Sequence, residues 1–245
     1  MALFGKKQQP EKLPEKLPEH IGFIMDGNGR WAKRRGMPRS FGHREGAKNF
    51  KKIVRYCKDI GIKNISFYAF STENWTRPAE EVATIMELFR DYIVDVREHL
   101  SENTRMVFLG SKDAFDADLQ EKMIKLEEDT KHYTEMNLMM AVNYGGRDEI
   151  AHAARQIAQK ALDGEISVAD INEEAIGSHL YTRDFPDVDL IIRPSGEQRL
   201  SNYMIWQAAY AEYYFTEVLW PDFSPKELDK ALHDFASRGR RFGGV

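Results

Sequence analysis

Short apolar runs that alternate with longer stretches of helical spacing constrain this chain more than any other feature. Residues 21–25, 65–70, 105–109, 137–142 and 188–192 each have the length and the β-branched or aromatic content of a buried strand. Between them the spacing predicts amphipathic helices. Phe50, Ile53, Val54, Cys57 and Ile60 mark one over 43–60, and Val82, Ile85, Met86, Phe89, Ile93, Val96 and Leu100 mark another after Pro78. Further helices are expected over 30–35, 113–131, 148–162 and 168–180, with a loop at 36–42. Strands alternating with helices require crossover connections, hence a largely parallel sheet covered on both faces. The expectation is one α/β domain, 20–245, with about six sheet strands, five of which can be placed. A flexible tail, 1–19, precedes it, rich in Lys, Pro and Glu and carrying Glu-Lys-Leu-Pro twice. With 245 residues, 42% of them hydrophobic, the chain can bury a single substantial core.

In open parallel α/β sheets, ligands bind beyond the carboxyl ends of the strands. The unusual polar residues fall there: Asp26, then 71–77, 143–147 and 193–201. At the first tip an apolar run stops at Asp26, and Gly27, Asn28 and Gly29 turn the chain into a basic helix. Free N–H groups at such a helix start bind anions, and Asp26 can hold a hard cation beside them. Asp26 can equally cap the helix, and on these residues both readings stay open. Residues 26–55 carry ten Lys and Arg against Asp26 and Glu45, a local +8 in a chain of net charge −4. So compact a basic region favours a phosphorylated small molecule over nucleic acid.

Other chemistries are disfavoured. Neither a P-loop nor a dinucleotide glycine fingerprint is present, and the histidines lack metal-ligand spacing, although His43 stands among arginines. Cys57 is the only cysteine, so no intrachain disulfide can form, which suits a reducing cytoplasm. No apolar run is long enough to cross a bilayer and no signal-peptide core is seen, so any membrane role is expected to be peripheral.

Five segments together resemble the cis-prenyltransferases: Ile24-Met25-Asp26-Gly27-Asn28-Gly29-Arg30-Trp31-Ala32; Gly42-His43-x-x-Gly46; Tyr68-Ala69-Phe70-Ser71-x-Glu73-Asn74-Trp75-x-Arg77-Pro78; Asn143-Tyr144-Gly145-Gly146-Arg147; and Asp189-Leu190-Ile191-Ile192-Arg193 continuing to Ser201-Asn202. The resemblance implies a fold with an apolar tunnel and repeated condensation of isopentenyl diphosphate onto farnesyl diphosphate with Mg²⁺. The product would be a long-chain polyprenyl diphosphate such as undecaprenyl diphosphate, the precursor of a cell-wall lipid carrier. It further implies a cytoplasmic homodimer that releases product at the inner face of the membrane.

Carried over by position, Asp26 and Asn74 are the catalytic candidates, and Asp26 and Glu212 the metal-associated acids. Gly27, Asn28, Gly29, Arg30, Arg39 and His43 resemble the allylic diphosphate pocket, with Trp31, Ser71 and Glu73 also on the substrate side. Arg193, Arg199 and Ser201 resemble the isopentenyl diphosphate clamp. Asn74, Trp75, Arg77 and Glu81 resemble a segment that closes over substrates, and Arg241-Phe242-Gly243 a motif reaching across the dimer. Ala47, Val54, Ala69, Ile85, Leu88, Phe89 and Leu138 are the tunnel candidates, each of which can equally be ordinary core. Pro194 stands where the family more often has Thr, and Gln198 where some members have His. The competing readings are a non-catalytic subunit of the same family and a nucleic-acid-binding module.

Overall fold

Six strands form one sheet among the described residues: β1 (His20–Ile24), β2 (Asn64–Ser71), β3 (Thr104–Leu109), β4 (Met136–Tyr144), β5 (Leu190–Arg193) and β6 (Glu212–Phe215). The computed structural model describes residues 13–99 and 103–239, with the backbone alone at 95–99. The strand order is β3-β4-β2-β1-β5-β6 and every pairing is parallel. From β1 the chain moves to β2 on one side, whereas β5 leads to β6 on the other. The order therefore reverses beside β1, where this topology opens a crevice.

Among the described residues seven helices supply the cover: α1 (Asn28–Arg34), α2 (Arg39–Asp59), α3 (Ala79–His99), α4 (Ala117–Thr130), α5 (Gly146–Leu162), α6 (Glu173–Gly177) and α7 (Pro225–Ser237). The alternating side chains of β1 and β2 divide the core. Phe23 stacks on Phe67 at 4.7 Å, and Phe67 meets Phe50 of α2 edge-on at 4.5 Å. Trp220 closes this cluster, its indole donating to the Gly46 carbonyl at 2.9 Å. On the opposite face Ile24, Met139, Ala141, Ile191, Tyr203 and Met204 form a second buried cluster.

Several boundaries differ from the sequence expectation. α2 begins at Arg39 with Pro38 at its N-cap, so the expected loop at 36–42 is helical in its second half. Proline needs no N–H partner there and cannot lie deeper in a helix. The expected helix 168–180 is a 3-10 turn (Val168–Asp170) and the five-residue α6, because Ser167 and Asn172 each cap a separate start. Of the expected tail, residues 1–12 lie outside the described residues. Leu13 and Leu17 pack against the core, and the Glu19 N–H donates to Asp189 Oδ2 at 2.7 Å.

That last contact seats His20, which is fully buried at the start of β1. Its Nδ1 lies 2.9 Å from the Pro186 carbonyl and its Nε2 2.9 Å from Ser66 Oγ. One neutral tautomer satisfies both partners: Nδ1–H donates to the carbonyl while Nε2 accepts the hydroxyl proton. Burial lowers the imidazole pKa to about 4, against the smaller opposing effects of Pro186 and Asp189. Because the folded value lies below the unfolded one, the stability His20 contributes is complete above about pH 6.5 and is lost as the pH falls. Urea midpoints should therefore show about 2 kcal/mol lost through this group between pH 7.5 and 5. The His20→Gln variant should lose less over that interval, and equal losses in the two proteins would contradict the assignment.

Candidate active site

β1 ends at Ile24, and the Asp26 N–H turns back onto the Ile24 carbonyl at 2.8 Å. Gly27 follows at φ +103°, a conformation open to glycine, and stands as the N-cap of α1 without a side-chain bond. Asp26 thus does not cap the helix at its second or third residue. Its Oδ1 accepts from the Gly27 N–H at 2.6 Å, and its Oδ2 accepts from Arg193 Nη2 at 2.9 Å. Arg30, one turn along α1, lies 3.3 Å from Oδ1. Burial pushes the carboxyl pKa up. The hydrogen bond and charge of Arg193, with Arg30 and the Gly27 N–H, outweigh that effect and hold it below the ordinary carboxylate range.

Arg193 is the last residue of β5 and is buried. Its Nη1 donates to Ser201 Oγ at 2.8 Å and to the Arg199 carbonyl, while its Nε has no hydrogen-bond partner among the described residues. Glu197 bridges Arg30 at 3.1 Å and Arg199 at 2.5 Å. A second convergence forms at Glu81 of α3, whose Oε1 lies 3.1 Å from Arg39, 3.0 Å from Arg77 and 3.5 Å from His43 Nε2. Burial lowers the His43 pKa, Glu81 opposes this, and Arg77 and Arg39 reinforce it. The net effect favours the neutral imidazole.

Two cavities meet at Asp26. One, of about 600 Å³, is lined by Asp26, Asn28, His43, Ser71, Glu73, Asn74, Arg77, Arg193, Arg199 and Ser201, with Tyr68, Ala69, Ile85 and Asn202. The other, of about 570 Å³, shares Asp26, Asn28, His43 and Arg77 and adds Gly27, Gly29, Arg30, Lys33 and Arg39. The sequence reading thus finds most of the polar lining. Asn74 also shapes the rim, since its Oδ1 accepts from the Ser71 N–H at 3.1 Å and closes the capping box of the 3-10 turn Thr72–Thr76.

Other candidates fall elsewhere. Trp31 faces away from both cavities: its Nε1 donates to Asp222 at 2.7 Å and Arg35 covers its ring. Trp75 donates to Asn143 Oδ1 at 2.8 Å and packs on Phe70 and Phe115. Glu212 opens β6 level with Leu190 and accepts from Arg238 at 2.8 Å, whereas Asp26 follows the far end of β1. Within one chain, the two acids therefore do not share an ion. Of the tunnel candidates, Ala69 and Ile85 line the first cavity. Val54, Phe89 and Leu138 are packed inside the core cluster, and Ala47 and Leu88 are half-buried on neither cavity. Helical spacing marks a buried face without distinguishing core from wall. The Arg241-Phe242-Gly243 motif lies outside the described residues. Tyr68, Glu197 and Asn202 are the site residues the sequence reading does not single out, although Tyr68 and Asn202 sit inside quoted segments.

Known proteins resemble this chain in sequence and fold. The family model described as putative undecaprenyl diphosphate synthase, a prenyltransferase family, matches residues 24–243. The chain belongs to that family. An isoprenyl transferase of Clostridium perfringens is 46% identical over 96% of this chain and 92% of its own length. The ditrans,polycis-undecaprenyl-diphosphate synthase ((2E,6E)-farnesyl-diphosphate specific) of Escherichia coli K12 is 44% identical over 100% of this chain and 97% of its own. Among solved structures, lavandulyl diphosphate synthase from Lavandula x intermedia, in complex with dimethylallyl diphosphate, superposes with a TM-score of 0.89 at 38% identity, covering 93% of this chain and 98% of that one. A probable undecaprenyl diphosphate synthase from Campylobacter jejuni gives 0.76 at 32% identity, covering 94% and 99%.

The enzyme is therefore a prenyl diphosphate synthase, a transferase, and its family generally acts with a metal ion. Among the described residues no group of three or more His, Cys, Asp or Glu forms a self-sufficient cation site. Mg²⁺ does not need one, since it is commonly held by one or two carboxylates together with substrate phosphates and water. The half-buried, ionised Asp26 at the junction of two arginine-lined cavities fits that mode. No helix among the described residues is long and apolar enough to cross a membrane.

Proposed function

We propose that this enzyme condenses isopentenyl diphosphate repeatedly onto farnesyl diphosphate, forming a long cis-polyprenyl diphosphate, with undecaprenyl diphosphate the expected product. One observation carries the reading: two cavities share Asp26 yet possess separate arginines. Arg30 and Arg39 line one and Arg193 and Arg199 the other. Two diphosphates can thus be bound with their reacting carbons near a common carboxylate. The allylic diphosphate belongs at Gly27, Asn28, Gly29, Arg30, Arg39 and His43, beside the first turn of α1. Isopentenyl diphosphate belongs at Arg193, Arg199 and Ser201.

Breaking the allylic C–O bond places its electron pair on the departing diphosphate. Arg30, Arg39 and Arg77 are placed to stabilise that charge as it develops, and the neutral His43 can donate a hydrogen bond. The isopentenyl double bond supplies the electrons of the new C–C bond, and loss of one proton from the adjacent carbon leaves the new double bond. Three acceptors stay open for that proton: Asp26, Asn74 through a water, and the released diphosphate. Mg²⁺, held by Asp26 with substrate oxygens, would supply further charge neutralisation. Glu81 and Glu197, which occupy the arginines here, are the groups that diphosphate oxygens would replace.

Met25, Ala69 and Ile85 are apolar residues of the first cavity's lining, and the growing chain would enter along them. Each methylene buried there contributes about 0.8 kcal/mol. Filling the space at Ala69 with Leu should shorten the products, read by thin-layer chromatography of the dephosphorylated prenols. An unchanged distribution would remove Ala69 from the path. The enzyme is further proposed to act as a cytoplasmic homodimer, delivering its lipid product at the inner membrane face. The test of the reaction is direct: purified full-length chain with farnesyl diphosphate, labelled isopentenyl diphosphate and Mg²⁺ should yield butanol-extractable label. No extractable label would overturn the reading. Tight, steeply salt-dependent oligonucleotide binding by an inactive chain would point instead to the nucleic-acid module.

A further inference from the structure

The third strand tip, 143–147, does not line either cavity. Gly145 caps α5 directly after β4, and the N–H groups of Gly146 and Arg147 in the first turn of that helix are of the kind that bind anions. A side chain brought from the loop after β5 fills that place instead. Asn202 accepts the Gly146 N–H on its backbone carbonyl at 2.7 Å and the Arg147 N–H on its side-chain Oδ1 at 2.9 Å. Its Nδ2 donates to Glu73 Oε1 at 2.9 Å, so the amide is used at both ends. A Cβ on Gly145 would lie 2.8 Å from Asn202 Nδ2 and 2.8 Å from Thr72 Oγ1, so the glycine makes room for this junction.

Asn202 lies in a turn with left-handed backbone at three non-glycine residues: Ser201 at φ +50°, Asn202 at +63° and Met204 at +45°. Such a conformation persists only where surrounding bonds fix it, and Asn tolerates it better than most residues. The fixed turn presents the Ser201 hydroxyl to Arg193 at 2.8 Å, on one wall of the first cavity. Glu73 belongs to the 3-10 turn Thr72–Thr76 on the opposite rim. Its carboxyl pKa is lowered in part by the Asn202 amide, although burial opposes this.

We propose that Asn202 is a positioning residue for condensation. It locks the Ser201–Arg193 wall in its left-handed turn and docks the Thr72–Thr76 rim against it through Glu73. Arg193 and Ser201 are thereby held in register with Glu73 and Asn74, which line the same cavity. The proposal rests on the diphosphate reading above and adds to it a cavity-lining residue whose side-chain amide is engaged by the Arg147 N–H and Glu73.

The test reverses the polarity of one hydrogen bond. Asn202→Asp keeps the acceptor for Arg147 and a residue suited to the left-handed turn, but sets a carboxylate against Glu73. The KM for isopentenyl diphosphate should rise about tenfold, as expected for losing a charge-assisted hydrogen bond. The KM for farnesyl diphosphate should move far less. Hydrogen exchange in the substrate-free protein should quicken at the amides of Thr72–Thr76. Combining Asn202→Asp with Glu73→Gln places an amide donor opposite the new carboxylate, and should recover exchange protection at Thr72–Thr76. Wild-type KM and exchange in Asn202→Asp, or a double variant whose exchange is no slower than the single one's, would overturn the proposal. The exchange readout needs no substrate, so it separates failure of the latch from failure of the reaction assignment. If Asn202→Asp does not fold, Asn202→Ser, which shortens the reach to Glu73 without adding charge, should show the same quickened exchange, and unchanged protection there would overturn it.

Discussion

Replacing Asp26 by Ala is expected to lower kcat by about a hundred- to a thousandfold, the usual loss when a preorganised electrostatic group is removed from a reacting centre. The carboxylate connects the ends of β1 and β5, accepting from Gly27 at 2.6 Å and Arg193 at 2.9 Å. Its removal leaves a buried guanidinium with neutral acceptors only, which should cost on the order of 1–3 kcal/mol of stability. Far-UV circular dichroism should nevertheless stay native, because Asp26 lies beyond the strand and supports no core side chain. Asp26→Asn separates charge from shape, since an amide oxygen can still accept from Gly27. Asp26→Asn should restore stability more than turnover. A kcat near wild type in either variant would remove Asp26 from the chemistry. The depressed pKa also has a direction in pH: the stabilisation from this carboxylate is present above about pH 3.9 and is lost as pH falls through the lower folded value.

The second large effect concerns Arg193. Its guanidinium spans three acceptors, Asp26 Oδ2, Ser201 Oγ and the Arg199 carbonyl. Lysine retains the charge but not the planar fork, so Arg193→Lys is a test of geometry more than of charge. We expect kcat/KM for isopentenyl diphosphate to fall about a hundredfold or more. The KM for farnesyl diphosphate should change little, because Arg30 and Arg39 line the other cavity. Steady-state kinetics with each substrate varied in turn checks this. The reverse pattern would exchange the two subsites.

Much of this architecture was legible in the sequence because burial leaves a periodic trace. β1, β2, β3, β4 and β5 are apolar runs of strand length, and each falls within a residue or two of its expected bounds. β6 escaped placement because Glu212-Tyr213-Tyr214-Phe215 is four residues long, begins with a charge and is only half-buried at the sheet edge. The cluster at Asp26 was visible for a topological reason: parallel strands bring their carboxyl ends together whatever their separation in sequence. Individual partners carry no such trace. Trp31 and Trp75 sit inside motifs that resemble substrate sites, yet their indoles are fixed by Asp222 and Asn143, 191 and 68 residues away. The tip at 143–147 reads as one more polar strand end, and nothing in it announces that Asn202 arrives from another loop to occupy it. For Val54, Phe89 and Leu138, an apolar face at helix or strand spacing describes a core and a tunnel wall equally well.

The central claim is that one carboxylate and two arginine-lined cavities join isopentenyl units in succession onto an allylic diphosphate. Product sizing tests it most directly. Purified chain supplied with farnesyl diphosphate, labelled isopentenyl diphosphate and Mg²⁺ is predicted to give a dephosphorylated product migrating with cis-undecaprenol, and none when Mg²⁺ is chelated. A chain that gives no elongated prenol, or one that stops after a single addition at saturating isopentenyl diphosphate, would contradict it.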